Sequence, residues 1–207
     1  AKGLVKREVV RIVTPGTNCN LEALDESKNN YLMGVVAMDD LFGISVVDVT
    51  TGEYRLTEVD SLGKLLDEIN KFMPSELICN ESFYISGVDI EDLKERLGIS
   101  ISSLAPHYFD EECCKKSLCR HFSVQTLDGL GLADYSVGIT AAGAVMEYLE
   151  ETQKTSLAHI LELIPYKVGK YMLLDRNTRR NLELVETLRE KKKRGSLLWV
   201  LDRTRTA

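Results

Sequence analysis

Long apolar runs are what this sequence most plainly lacks. No stretch of its 207 residues approaches the roughly 20 apolar residues that a membrane-spanning helix needs. Its first residues, AKGLVKREVVRIVTPGT, lack the basic start, apolar stretch and small-residue cleavage site of a secretory signal. A cytoplasmic protein with no membrane partner is expected. An excess of positive charge is missing too: 26 Lys and Arg stand against 32 Asp and Glu, a formal net charge of −6. That argues against a free-standing DNA binder gripping many phosphates, but not against a role inside a larger DNA-binding machine. The five cysteines, Cys19, Cys79, Cys113, Cys114 and Cys119, include no C-x-x-C pair. Their odd count fits reduced thiols rather than a disulfide framework. No G-x-x-x-x-G-K-[ST] string, no G-x-S-x-G elbow, no repeat and no low-complexity tract is found.

What is present reads as a globular chain, 44% apolar and 28% charged, long enough for one domain and additional material. Residues 7–13 predict a short extended segment and 18–30 a polar loop. Between them TPGT (14–17) is a turn, with Pro15 fixing one angle and Gly16 permitting positive φ. YLMGVVAMD (31–39), FGISVVDVT (42–50) and EYRLTEV (53–59) are rich in β-branched and aromatic residues and predict an antiparallel meander. Leu62, Leu65, Leu66 and Ile69 recur at helical spacing, with Ser61 as N-cap and Pro74 beyond the end. A buried strand over 76–81, a helix over 89–98 closed by Gly98, a strand over 99–105 and helices over 109–122 and 134–152 follow. The expected fold class is α/β, a mixed sheet with flanking helices. After residue 153 two short apolar runs surround Pro165 and Gly169. A helix then starts near Asn177, capped by Asp175 or Asn177, and carries Leu182, Val185 and Leu188 before REKKKRG ends it.

VVRIVTPGT near the start, TRRNLELVETL near the end and GLGLADYSVGITAAGAVMEYLEETQKTSLAHI between them closely resemble the bacterial MutS family of DNA mismatch-recognition ATPases. The resemblance runs through essentially the whole chain in order. Two family signatures are not found: the Phe-x-Glu of the mismatch-reading domain in a comparable setting, since Phe109 and Glu111 lie mid-chain, and the P-loop of the ATPase. The resemblance therefore implies a piece of a longer protein: a linker over 1–20, a connector domain of ribonuclease H-like fold over 21–155, and the truncated helical start of the core or lever domain over 156–207. It implies a non-catalytic connector, with no cofactor of its own, between mismatch binding and ATPase. Hinges fall at TPGTNCN and around Pro165–Gly169. It also implies MutL, mismatched DNA and the other MutS domains as partners of a homodimeric parent that uses ATP and magnesium. The surface chosen for MutL is Lys115, Lys116 and Ser117. Arg179, Arg180, Asn181 and Glu183, beside Arg176, are expected to serve the lever helix structurally.

Other chemistry is weighed against this reading. A ribonuclease H-like sheet can host a metal-dependent nuclease, which needs carboxylates converging on ions roughly 4 Å apart. Asp39, Asp40, Asp48 and Glu81 are its candidates, although the first two are also ordinary turn residues. His107, Cys113, Cys114, Cys119 and His121 are zinc-binding types at poor spacing. GLGLAD (129–134) precedes a helix whose N-terminal amides could hold phosphate, and Arg189–Arg194 is a basic run broken by Glu190. Structural roles are favoured for all of these.

Overall fold

The structure, a computed structural model, describes residues 12–18, 29–154, 156–169 and 176–202. The segments expected over 7–13 and 18–30 lie mostly outside these, as does the cap expected at Asp175. Two compact units divide the chain, one running to Val168 and the second from Gly169.

The first unit is built on a six-stranded sheet. β1 (Tyr31–Met38), β2 (Leu41–Asp48) and β3 (Glu53–Val59) form the expected meander, with Met38 opposite Leu41 and Asp48 opposite Glu53. Asp39 turns the first hairpin with φ 50°, a left-handed conformation that Asp tolerates. α1 (Leu62–Phe72) opens on Ser61, whose side chain accepts from the Lys64 amide, and closes at left-handed Met73 just before Pro74. This helix crosses over to β4 (Glu76–Cys79), which lies parallel to β1. α2 (Glu81–Tyr84) is one turn that the sequence pattern does not announce. α3 (Ile90–Leu97) ends at Gly98, φ 69°, and leads to β5 (Ser100–Ser103), parallel to β4. α4 (Glu111–Phe122) and α5 (Ser136–Gln153) complete the helical layers. β6 (Ile164–Pro165) then adds to β3, so the strand order is β5-β4-β1-β2-β3-β6. An antiparallel meander extended by two parallel strands beside β1 is the ribonuclease H-like arrangement.

Side chains alternate between the two faces of the sheet, and both faces are covered. Met33, Val35 and Ala37 meet Leu65, Ile69, Phe83 and Leu93 on one side. Leu32, Tyr54, Leu56 and Ile78 meet Leu118, Ile139, Val145 and Leu149 on the other. α5 lies so close to the sheet that a Cβ at Gly34 would come within 2.4 Å of Val145, and one at Gly43 within 2.2 Å of the Val137 carbonyl oxygen.

The expected domain boundary at 155/156 falls inside this packing. Leu157, Ile160 and Leu163 are buried in the α5-side core, and Tyr166 is bonded to β3. The apolar residues around Pro165 thus belong to the sheet, and the compact unit runs on to Val168.

The second unit contains α6 (Arg176–Asn181) and α7 (Leu197–Leu201). The expected long helix is shorter than its apolar pattern suggests. Its chain turns at Glu183, φ 47°, so Glu183 lies outside the helix with Arg179, Arg180 and Asn181 inside it. Leu182, Val185 and Leu188 are exposed, which leaves no buried face to extend α6. Asn177 is within the helix rather than its cap.

Candidate functional site

α4 carries the residues chosen for partner docking. Asp110 caps it, its side chain accepting from the Cys113 amide at 2.8 Å, and Glu111 and Glu112 sit favourably in the first turn. Cys114 and Leu118 point into the core and anchor the helix against α5. The contact is tight, since a Cβ at Gly143 would lie 2.2 Å from the Cys114 Cβ. Lys115 pairs with Glu111 at 2.6 Å, one turn back, and Lys116 is exposed. Ser117 is not at the surface: it is buried, on the core side of the helix beside Leu118. Three consecutive helical residues span too wide an arc to share one exposed face. The two lysines instead line a cleft of about 400 Å³ with Cys119, Leu127, Asp128 and Ile139.

The nuclease candidates do not converge. Asp48 is buried at the end of β2, where one carboxylate oxygen accepts from the Thr50 amide at 2.9 Å and its hydroxyl at 2.5 Å. That arrangement holds the turn into β3. Asp39 and Asp40 belong to the other hairpin, at the opposite end of β2, and Glu81 opens α2. The middle of β1 offers only Leu32, Met33, Gly34, Val35, Val36 and Ala37. Among the described residues, no three His, Cys, Asp or Glu side chains are grouped to hold a metal ion. The Cys/His set is likewise dispersed: Cys114 faces α5, His121 bonds the Ile160 carbonyl at 2.9 Å and His107 stacks on Tyr108.

The amides that open α5 are already engaged. Glu58 on β3 accepts from Val137 N at 2.7 Å and Gly138 N at 2.9 Å, filling the place a phosphate would take after GLGLAD. In the basic run, Lys192 pairs with Glu190 and Lys193 with Asp202.

The TPGT turn is a one-turn 3-10 helix, Pro15–Thr17, fixed to the sheet. Glu76, buried at the start of β4, receives the Thr14 hydroxyl at 2.5 Å and the Gly16 amide at 3.0 Å on one oxygen, and the Tyr148 hydroxyl at 2.7 Å on the other. Gly16 is needed for space rather than for positive φ, because a Cβ there would lie 2.9 Å from the Glu76 Cβ.

Residues 30–161 match the family description MutS domain II. The chain belongs to the MutS family. All of it aligns with the DNA mismatch repair protein MutS of Lachnoclostridium phytofermentans at 58% identity, covering 22% of that protein. MutS of Ruminiclostridium cellulolyticum is 45% identical and that of Acetivibrio thermocellus 46%, with 24% of each covered. The chain thus spans about a quarter or less of the length of these relatives. A structure of T. thermophilus RuvC in complex with Holliday junction substrate aligns with TM-score 0.38 and 17% identity, over 58% of this chain and 94% of that one.

Within the MutS family the folded core described here is the connector domain. Its entry and exit are both tied down: TPGT by Glu76, and Tyr166 by Thr57 Oγ1 donating to its carbonyl at 2.6 Å and by its own hydroxyl donating to Glu68 at 2.6 Å. Of the expected hinges, TPGTNCN and the region around Pro165–Gly169, the parts TPGT and Pro165–Tyr166 are bonded to the connector, Cys19 and Asn20 lie outside the described residues, and the boundary between the two units falls at Val168/Gly169. Sequence reasoning missed Glu58, Glu76 and Asn80, which exchanges two hydrogen bonds with the Ala37 backbone. Each acts across more than 40 residues of chain, and no local spacing marks such a pair. The one available signal was the TPGT signature itself. Among the described residues no helix is long and apolar enough to cross a membrane.

Proposed function

We propose that this chain is a non-catalytic coupling module of a longer, homodimeric, cytoplasmic mismatch repair protein. It joins the mismatch-binding end to the ATPase end, where ATP and magnesium act, and helps to dock MutL. The observation that carries the reading is that the segments flanking the sheet on both sides are bonded into it, Gly16 to Glu76 and Tyr166 to Thr57. A module whose flanking segments are bonded to its own sheet moves with them as one body instead of absorbing a rotation in slack chain. Lys116 and the cleft beside it form the docking surface, with Lys115 contributing at its rim. Mismatched DNA is contacted by the other MutS domains of the parent rather than by this acidic chain.

Calorimetry of the chain against MutL from the same source tests the docking part, with a Lys115→Glu/Lys116→Glu variant alongside. Binding by the parent chain that the double variant loses supports the surface. Binding that survives the double charge reversal moves the surface elsewhere. No binding at high concentration overturns docking by this module on its own.

A further inference from the structure

One of the two specific sequence signatures of the chain, RIVTPGT, ends in a turn whose partner is a buried carboxylate 60 residues away. We infer that Glu76 is a latch that makes the entry segment part of the connector's rigid body and fastens it to the C-terminal half of α5. The inference deepens the coupling reading and rests on it for its purpose; the latch itself can be tested without any partner.

The donors around Glu76 come from two separate pieces of chain. On the entry side, Thr14 Oγ1 donates to one carboxylate oxygen at 2.5 Å and Gly16 N donates to the same oxygen at 3.0 Å. With its proton committed to Glu76, Thr14 Oγ1 accepts from the Thr17 hydroxyl at 2.8 Å, and Thr17 Oγ1 accepts in turn from Thr14 N at 3.0 Å. The turn is thereby closed on itself and its donors are aimed at the carboxylate. On the helix side, Tyr148 donates to the second oxygen at 2.7 Å. Glu76 is the bridge between Gly16 and Tyr148, 132 residues apart in sequence.

Four further features point the same way. Gly16 and Thr17 are buried, so the turn sits in the molecule rather than on it. Gly16 presses on Leu32 of β1 as well as on Glu76, with room for no Cβ against either. Asn30, just before β1, donates to the carbonyls of Pro15 and Asn18 at 2.9 and 3.1 Å, and Ile12 N reaches the Thr152 carbonyl at 2.7 Å. The entry segment thus contacts the starts of β1 and β4 and the end of α5, and a rotation arriving through it acts on all three. α5 in turn bears on α4 at the Gly143–Cys114 contact, which places the lysine surface one packed helix away.

Peptide-resolved hydrogen exchange of the whole 207-residue chain tests the latch, comparing it with Tyr148→Phe, Thr14→Val and Glu76→Gln. A hydrogen bond to a carboxylate that is lost from a buried site raises the local opening constant by roughly tenfold or more. Exchange over residues 12–18 is expected to accelerate by that factor in all three variants. The decisive one is Tyr148→Phe, which changes nothing in the turn and removes a single hydroxyl from a half-buried ring. If Glu76→Gln unfolds the chain, Tyr148→Phe and Thr14→Val carry the test. Exchange over 12–18 that stays at the parent rate in both, with α5 exchange and melting temperature unchanged, overturns the latch. Intact latch behaviour with no influence on MutL binding would instead count against the coupling reading alone.

Discussion

The hydroxyl of Tyr54, on β3, donates to the main-chain carbonyl of Ala142, in the middle of α5, at 2.5 Å and with both residues buried. It is a polar pin through a largely apolar layer that also holds the buried Ser45, and burial holds the phenol well above its ordinary pKa. Tyr54→Phe keeps the ring and loses the pin. The expected cost is about 1–1.5 kcal/mol, which lowers the melting temperature by about 3 °C. Thermal denaturation followed by circular dichroism checks it; an unchanged midpoint would show that the bond contributes nothing net.

Two glycines should respond to alanine with opposite signs. At Gly43 the new Cβ meets the Val137 carbonyl oxygen at 2.2 Å, a backbone atom of α5 that cannot swing aside. Gly43→Ala is expected to cost about 3 kcal/mol through helix displacement. At Gly63, in the first turn of α1, nothing lies within 4 Å. Gly63→Ala is expected to stabilise by about 0.5 kcal/mol through helix propensity. Urea unfolding midpoints of the pair distinguish close approach from mere conformational freedom.

These two sites also mark what the sequence could say. The meander was legible because β-branched residues crowd 31–50, and α1, α3 and α4 because their apolar spacing and caps are local. The domain's fold and its family followed from that order and from the VTPGT and RRNLEL strings. The closeness of α5 to the sheet was not legible: Gly34 and Gly43 look like ordinary strand glycines until the helix is seen above them. β6 is two residues long and one is Pro165, a residue confined to sheet edges, so no pattern could announce it. Ser117 lies on the buried side of α4 because a helix turns about 100° per residue, and the side that faces the core is not marked by the lysines before it. Glu183 lies beyond α6 because Leu182, Val185 and Leu188 form a helical stripe in sequence that no surface buries.

Alkaline pH should destabilise the first unit through its buried thiols. Burial pushes both Cys79 and Cys114 up from 9.0 to about 12. Between those values an unfolded thiol has released its proton while the folded one retains it. The unfolded state then binds fewer protons, so stability is fully present below pH about 9 and falls as pH rises toward 12. Tyr108, pushed from 10.0 to about 12 by burial and by its bond to Glu151, adds to the same slope above pH 10. Melting temperatures should be level from pH 7 to 8.5 and decline beyond. Cys114→Ala should lower the baseline and flatten the decline; an equally steep fall in that variant would assign it to other groups.

The exposed thiol of Cys113 should react more slowly than its exposure suggests. It sits in the first turn of α4, where helix-terminal amides ordinarily favour a thiolate, but Asp110 lies beside it and raises its pKa by hydrogen bonding and by charge. The same carboxylate caps the helix through the Cys113 amide at 2.8 Å. Asp110→Asn separates these two effects, because the amide oxygen still caps the helix while the negative charge is gone. Alkylation of Cys113 at pH 7.5, followed by peptide mass spectrometry, should run severalfold faster in the variant, with the helical circular dichroism signal retained. Cys79 and Cys114, both buried, should remain unlabelled in either protein until it unfolds. A Cys113 rate that does not change on removing the charge would leave access, rather than electrostatics, as the control on this thiol.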